Sequence, residues 1–173
     1  MARLVALALY HRDSHSEGHA RQAFGYSAYH WAIIATPEAS KGHDYYIFDA
    51  TDRSDIDPVT FRLNNPTMGW WFRVQRNVDP NDKLLGQMII GRIAEDVSLD
   101  HLTTILQQVP LPTKNTYPQQ DCVTWAMNAI RVLQEHGWVR DLNLKHCKDQ
   151  ALAYADDRMK GESSHTIYYQ PRN

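Results

Sequence analysis

Tyr29-His30-Trp31-Ala32-Ile33-Ile34-Ala35-Thr36-Pro37 and, a short polar stretch later, Tyr45-Tyr46-Ile47-Phe48-Asp49-Ala50-Thr51 are the segments that decide the fold. Both have strand length and are rich in β-branched and aromatic residues. Pro37 stops the first, and Glu38-Ala39-Ser40-Lys41-Gly42 has turn chemistry, so the pair reads as an antiparallel hairpin. A turn centred on Ala39–Ser40 sets His30 opposite Asp49.

Leu4 to Tyr10, upstream, is an apolar run of strand length. It meets His11-Arg12-Asp13 at once, which reads as a buried first strand rather than the apolar region of a signal peptide. Residues 11–27 read as a mobile polar loop. Its His11, His15 and His19 have no convergent partners for a metal site, so no metal and no cofactor is expected. Downstream, 69–74 and 84–93 are two more strand candidates, joined through Asn77-Val78-Asp79-Pro80-Asn81-Asp82.

Helices follow the strands. Ser98 is placed to cap one from Leu99 to about Gln108, with Leu99, Leu102, Ile105 and Leu106 on one face and Pro110 beyond its end. A second begins near Asp121: Val123, Ala126, Met127, Ile130 and Leu133 recur at helical spacing, and Gly137 closes it. A third spans about Lys145 to Lys160, and 161–173 reads as a frayed, mobile tail. The expectation is one α+β catalytic domain over 1–173, an antiparallel sheet of about five strands packed with three helices.

Composition agrees with a globular chain: 173 residues, 43% hydrophobic, 22% charged, net charge −2. No apolar run reaches the roughly 18 residues of a membrane span, so no membrane partner is expected. Cys122 and Cys147 stand alone, which excludes a zinc ribbon or disulfide framework and fits a reducing, cytoplasmic setting. No obligate protein partner is evident.

Cys122 is the most informative residue. It occupies the first position of an amphipathic helix, where unpaired backbone N–H groups and the helix dipole stabilise a thiolate. The same N–H groups can hold the oxyanion of an attacked carbonyl, with Gln119 or Gln120 as an added donor. Cys147 has no such placement and reads as structural. His30 opens an apolar strand, where a polar ring is costly unless used or satisfied. Cys122, His30 and Asp49 therefore form a candidate nucleophile, base and orienter; the alternative is a satisfied core histidine beside an ordinary carboxylate.

The order of His on an early strand, a polar residue on the next and Cys at a helix start resembles the circularly permuted papain-like enzymes. More narrowly, Tyr29-His30-Trp31-Ala32-Ile33-Ile34, Met88-Ile89-Ile90-Gly91-Arg92-Ile93, Leu102 to Pro110 and Asp121-Cys122-Val123-Thr124-Trp125 resemble a family of small fungal proteins, over about residues 3–160. The chain departs from it in having Asp121 where those proteins have Asn. One branch of the family comprises the arginine-containing cyclodipeptide synthases. The resemblance implies a permuted papain-like fold and an aminoacyl transferase. In it Cys122 takes arginine from arginyl-tRNA as a thioester, His30 moves protons, and a second aminoacyl group closes the diketopiperazine.

The acidic stretch Asp49, Asp52, Asp55 and Asp57 offers a carboxylate for the guanidinium, the alternative being a solvated acidic loop; Asp52, Gln120 and Trp31 are the expected substrate contacts. Candidate phosphate contacts are Arg73, Arg76 and Lys83 around one turn, and Arg140, Lys145 and Lys148 around another; neither group is dense. Trp31, Trp70 and Trp71 are candidate stacking surfaces. Two other functions use the same residues: a papain-like hydrolase acting on an amide, and a non-catalytic binding domain.

Overall fold

The computed structural model describes residues 2–80, 82–139 and 142–172. An unbroken apolar run must be covered on both faces, and Val5 to Tyr10 is buried at every position. That run is β1 (Arg3–His11), flanked by antiparallel β2 (Tyr29–Pro37) on one side and antiparallel β5 (Leu84–Ile93) on the other. β3 (Tyr45–Thr51) and β4 (Trp71–Val78) extend the sheet beyond β2. β6 (Thr166–Tyr168) lies parallel to β5 at the far edge.

The order β4-β3-β2-β1-β5-β6 makes an α+β fold with a mixed, open sheet of six strands among the described residues. The expected five-stranded antiparallel sheet is corrected by β6. This three-residue strand lies within the segment expected to be frayed, and it is held by Gln87 N–H to His165 O and Tyr169 N–H to Ile89 O, both 2.9 Å.

Four helices are described rather than three: α1 (Gly18–Phe24), α2 (Leu99–Gln107), α3 (Cys122–Glu135) and α4 (Leu144–Met159). The extra one, α1, falls in the expected loop 11–27. Several polar groups there bond within the protein. Ser16 Oγ donates to Ala28 O at 2.6 Å, Arg12 Nη1 to Ser27 O at 2.5 Å, and Arg21 forks onto Asp156 of α4 at 2.5 and 2.6 Å. Ser98 caps α2 as expected, accepting from His101 N–H at 3.0 Å, and Gly137 follows α3 with φ +75°. None of these helices is long and apolar enough to cross a membrane.

The helices pack on one face of the sheet. Leu7, Leu9, Trp31, Ile33, Phe48 and Met88 join Leu102, Leu106, Trp125, Ile130 and Tyr154 in one core. A second, smaller core of Ala6, Ala8, Tyr10, Ala32, Ile34, Ile47, Leu84 and Ile89 lies on the opposite face and contains no helix residue. Gly91 of β5 permits a close approach: a Cβ there would stand 2.1 Å from the Trp138 carbonyl, which accepts from Arg92 N–H at 3.0 Å.

The β2–β3 register corrects the hairpin arithmetic. Ile33 pairs with Phe48, Ile34 with Ile47 and Ala35 with Tyr46. Continued outward, that register sets Ala32, not His30, opposite Asp49. The error is two residues, an even number, so His30 and Asp49 still share a face. The ladder stops at Ile33–Phe48, and beyond it the two strands are no longer paired.

Candidate active site

His30 and Asp49 lie just past that last paired rung, and their side chains bridge the opening: His30 Nε2 and Asp49 Oδ2 are 2.6 Å apart. Register extends the contact into a row across four strands. Tyr10 of β1 is the direct partner of His30, and Arg73 of β4 is the direct partner of Asp49. Arg73 forks onto the carboxylate, Nε to Oδ1 at 3.0 Å and Nη2 to Oδ2 at 2.6 Å. The Tyr10 and His30 ring centroids are 5.9 Å apart. The Tyr10 hydroxyl is buried and has no hydrogen-bond partner among the described residues.

Cys122 comes to this row from the helix side. Asp121 caps α3, its Oδ1 accepting from Val123 N–H at 2.9 Å and Thr124 N–H at 3.4 Å, while Thr124 Oγ1 accepts from Asp121 N–H at 3.1 Å. Ser27 also donates to the Asp121 carboxylate. The cap fixes where the helix starts and therefore where the sulfur stands, and the Cys122 thiol is within hydrogen-bonding reach of His30. With Nε2 held by Asp49, Nδ1 is the ring nitrogen left for the sulfur. The first-turn N–H groups are less free than the sequence implied. Asp121 takes two of them, and the Cys122 N–H keeps no acceptor among the described residues. It remains as a donor for an oxyanion.

Electrostatics keep the proton on His30. Burial works against a charged ring, but its interactions with the Cys122 side chain and the Asp49 carboxylate outweigh it and raise His30 to about 10. Burial also works against an ionised Asp49, yet His30 and Arg73 hold its carboxyl below the usual range. Burial first, and Asp49 next, push the Tyr10 phenol above its ordinary value, so it stays protonated. Cys147 is fully buried in α4, and burial alone pushes its thiol up to about 12, the state of an inert cysteine.

Cys122, His30, Asp49, Arg73 and Tyr10 line one cleft of about 730 Å³ together with Asp52, Asp121 and Gln119. Asp52 is exposed at its wall, as a substrate contact requires. Two other expected contacts stand away from the cleft. Gln120 does not line the cleft; its Oε1 accepts from Thr113 N–H at 2.8 Å and ties down the loop before α3. Trp31 is fully buried in the helix-side core, with Nε1 donating to Tyr26 O at 2.9 Å.

The expected phosphate groups are also largely committed within the protein. Arg73 holds Asp49, Lys83 pairs with Asp13 at 2.8 Å, and Arg76 approaches Asp100 at 3.8 Å. Lys145 pairs with Asp149 at 2.6 Å, Lys148 lies 4.1 Å over the Tyr26 ring, and Arg140 lies outside the described residues.

Arg73 and Tyr10 went unread in the sequence as parts of this site. Their signal was present for Arg73, a charge between Phe72 and Val74 on a strand, which needs a buried partner. Tyr10 continues the alternation Ala6, Ala8, Tyr10 and carries no such flag.

No curated protein and no solved structure matches the chain. A family model matches residues 2–166, nearly the whole of it. The chain belongs to the family of unknown function DUF6914.

Proposed function

We propose that this protein is a cysteine-dependent acyl transferase whose nucleophile is Cys122. One observation carries the reading: a cysteine at a capped helix start stands within reach of an imidazole that is itself held by a buried carboxylate. The chain order, with His30 and Asp49 ahead of Cys122, supports a permuted papain-like arrangement.

The resemblance read from the sequence supplies the substrate. The Cys122 thiolate attacks the ester carbonyl of arginyl-tRNA. The Cys122 N–H stabilises the oxyanion, and the tRNA 3′-oxygen leaves with the proton of His30. The amine of a second aminoacyl-tRNA then attacks the thioester and gives its proton to His30, and Cys122 departs as thiolate. Attack of the arginyl α-amine on the remaining ester closes the diketopiperazine and frees the second tRNA. Asp52 at the cleft wall suits the guanidinium. Cys122 is only 3% exposed, which restricts water at the thioester and favours transfer over hydrolysis.

Amide hydrolysis is the second reading, and a specific observation favours it. Of the cations lining the cleft, Arg73, Lys83 and Arg53 are already paired with Asp49, Asp13 and Asp55, and Arg12 donates to Ser27 O, which leaves a sparse track for phosphates. Intact mass after incubation with arginyl-tRNA separates the two. Transfer predicts an arginyl adduct on the wild type that is absent from Cys122→Ala, and a diketopiperazine when a second charged tRNA is added. Cleavage of a model amide without tRNA, and no adduct with any charged tRNA, overturns transfer in favour of hydrolysis.

A further inference from the structure

Arg73 does something a third triad member alone does not explain. A thiolate and an imidazolium already form a neutral pair. A buried carboxylate beside them gives one cation two anions, and in a low-dielectric site that surplus draws in a proton. Asp49 is such a carboxylate, with its side chain only 2% exposed. Arg73 lies directly across from it on β4 and engages both of its oxygens. The row thus sets the Arg73–Asp49 ion pair beside the His30 ring, with Cys122 in the same cleft.

We propose that Arg73 is a positioning residue for the nucleophile: by neutralising Asp49 it leaves the Cys122 sulfur as the counter-ion of His30. This rests on the reading of Cys122 as nucleophile and deepens it. Asp49 still accepts the Nε2–H and fixes the ring, but it no longer competes with the sulfur for the charge. The planar fork suits the task, since it meets both carboxylate oxygens at once. The groups acting on this row are Tyr10 from β1 and Tyr45 from β3, Asp55 from the segment after β3 and Cys122 from α3, while Asp52, Arg53, Arg12, Lys83 and the capping Asp121 line the same cleft. Tyr10 is held protonated, so it adds no charge at neutral pH.

The experiment is the pH profile of Cys122 alkylation by iodoacetamide, read by peptide mass with Cys147 as the internal reference. In Arg73→Met the site binds an extra proton. The acid limb moves up by about one pH unit, and alkylation on that limb slows about tenfold. Arg73→Lys keeps the charge count and holds the limb within about twofold of wild type. The decisive variant is the double substitution Asp49→Asn with Arg73→Met. It removes both charges, so its limb lies below that of Arg73→Met even though the ring loses its charged orienter, where a merely structural arginine would leave the double variant worse than the single.

A limb unmoved in Arg73→Met, or a double variant no faster than Arg73→Met, overturns the role of Arg73 and leaves the nucleophile standing. Should Arg73→Met fail to fold, Arg73→Gln is read in its place against Asp49→Asn with Arg73→Gln: a double variant with the lower limb supports the proposal, and one no faster than the single overturns it. Wild-type Cys122 reacting no faster than Cys147 overturns both this proposal and the catalytic reading beneath it.

Discussion

At the scale of single residues, the charge of His30 has a consequence for stability as well as reactivity. Its ring is raised from 6.5 to about 10 in the folded protein, so the stabilisation it contributes is complete below about 6.5 and is lost as pH climbs through about 10. Asp49 has the opposite sign. Its carboxyl is lowered, so its contribution is lost as pH falls into the acid range. Thermal unfolding of the wild type should therefore weaken across the alkaline interval, and His30→Gln should flatten that decline. A wild-type melting temperature that stays level from neutral pH to about 10 contradicts the raised ring. The sequence made His30, Asp49 and Cys122 legible because each breaks a local expectation: a polar ring opening an apolar strand, an acid within another, and a thiol at a helix start. The placement of Gln120 was not legible because nearness in sequence to Cys122 says nothing of direction, and its amide turns to Thr113.

Among the secondary-structure elements, α3 sets the position of the sulfur, and its cap is the part open to test. Asp121→Ala removes the acceptor for Val123 and Thr124 N–H and should cost about 1 kcal/mol in denaturant unfolding. Asp121→Asn retains an acceptor and should cost only a few tenths of that, roughly, since Asn caps as well as Asp. Equal losses in the two variants would mean that the charge, not the cap, holds the helix start. α2 and α3 were readable because capping residues and apolar spacing agree at each. α1 was not: it has no buried residue of its own, and what orders it is the fork from Arg21 to Asp156, a contact 135 residues away in sequence. The β2–β3 register was also out of reach to the last residue, because the turn that sets it contains several equivalent polar positions.

Across the whole molecule, the sheet is completed from the far end of the chain. β6 covers the open edge of β5, and Ile167 and Tyr169 pack against the helix-side core. Deleting residues 162–173 should destabilise the protein by about 2 kcal/mol, judged from the apolar surface uncovered, with a lower melting temperature as the readout. An unchanged melting temperature would restore the picture of a dispensable tail. Three residues with no strong alternation cannot announce a strand, and only the exposed hydrogen-bonding edge of β5 makes one of them. The α+β character, by contrast, followed from strands preceding helices along the chain.

On the proposed reading of Cys122 as nucleophile, chain order keeps the two halves of the reactive pair apart until late in the protein's making, and the gap past the last β2–β3 rung is closed last. A nascent chain leaving the ribosome carries its imidazole and its carboxylate early, while residue 122 and the helix it opens emerge much later. Until that helix docks into the gap, the thiol has neither its proton partner nor its oriented amide. Synthesis therefore delivers an unreactive cysteine through the crowded interval of translation, and the arrival of its reactivity marks the moment the fold closes.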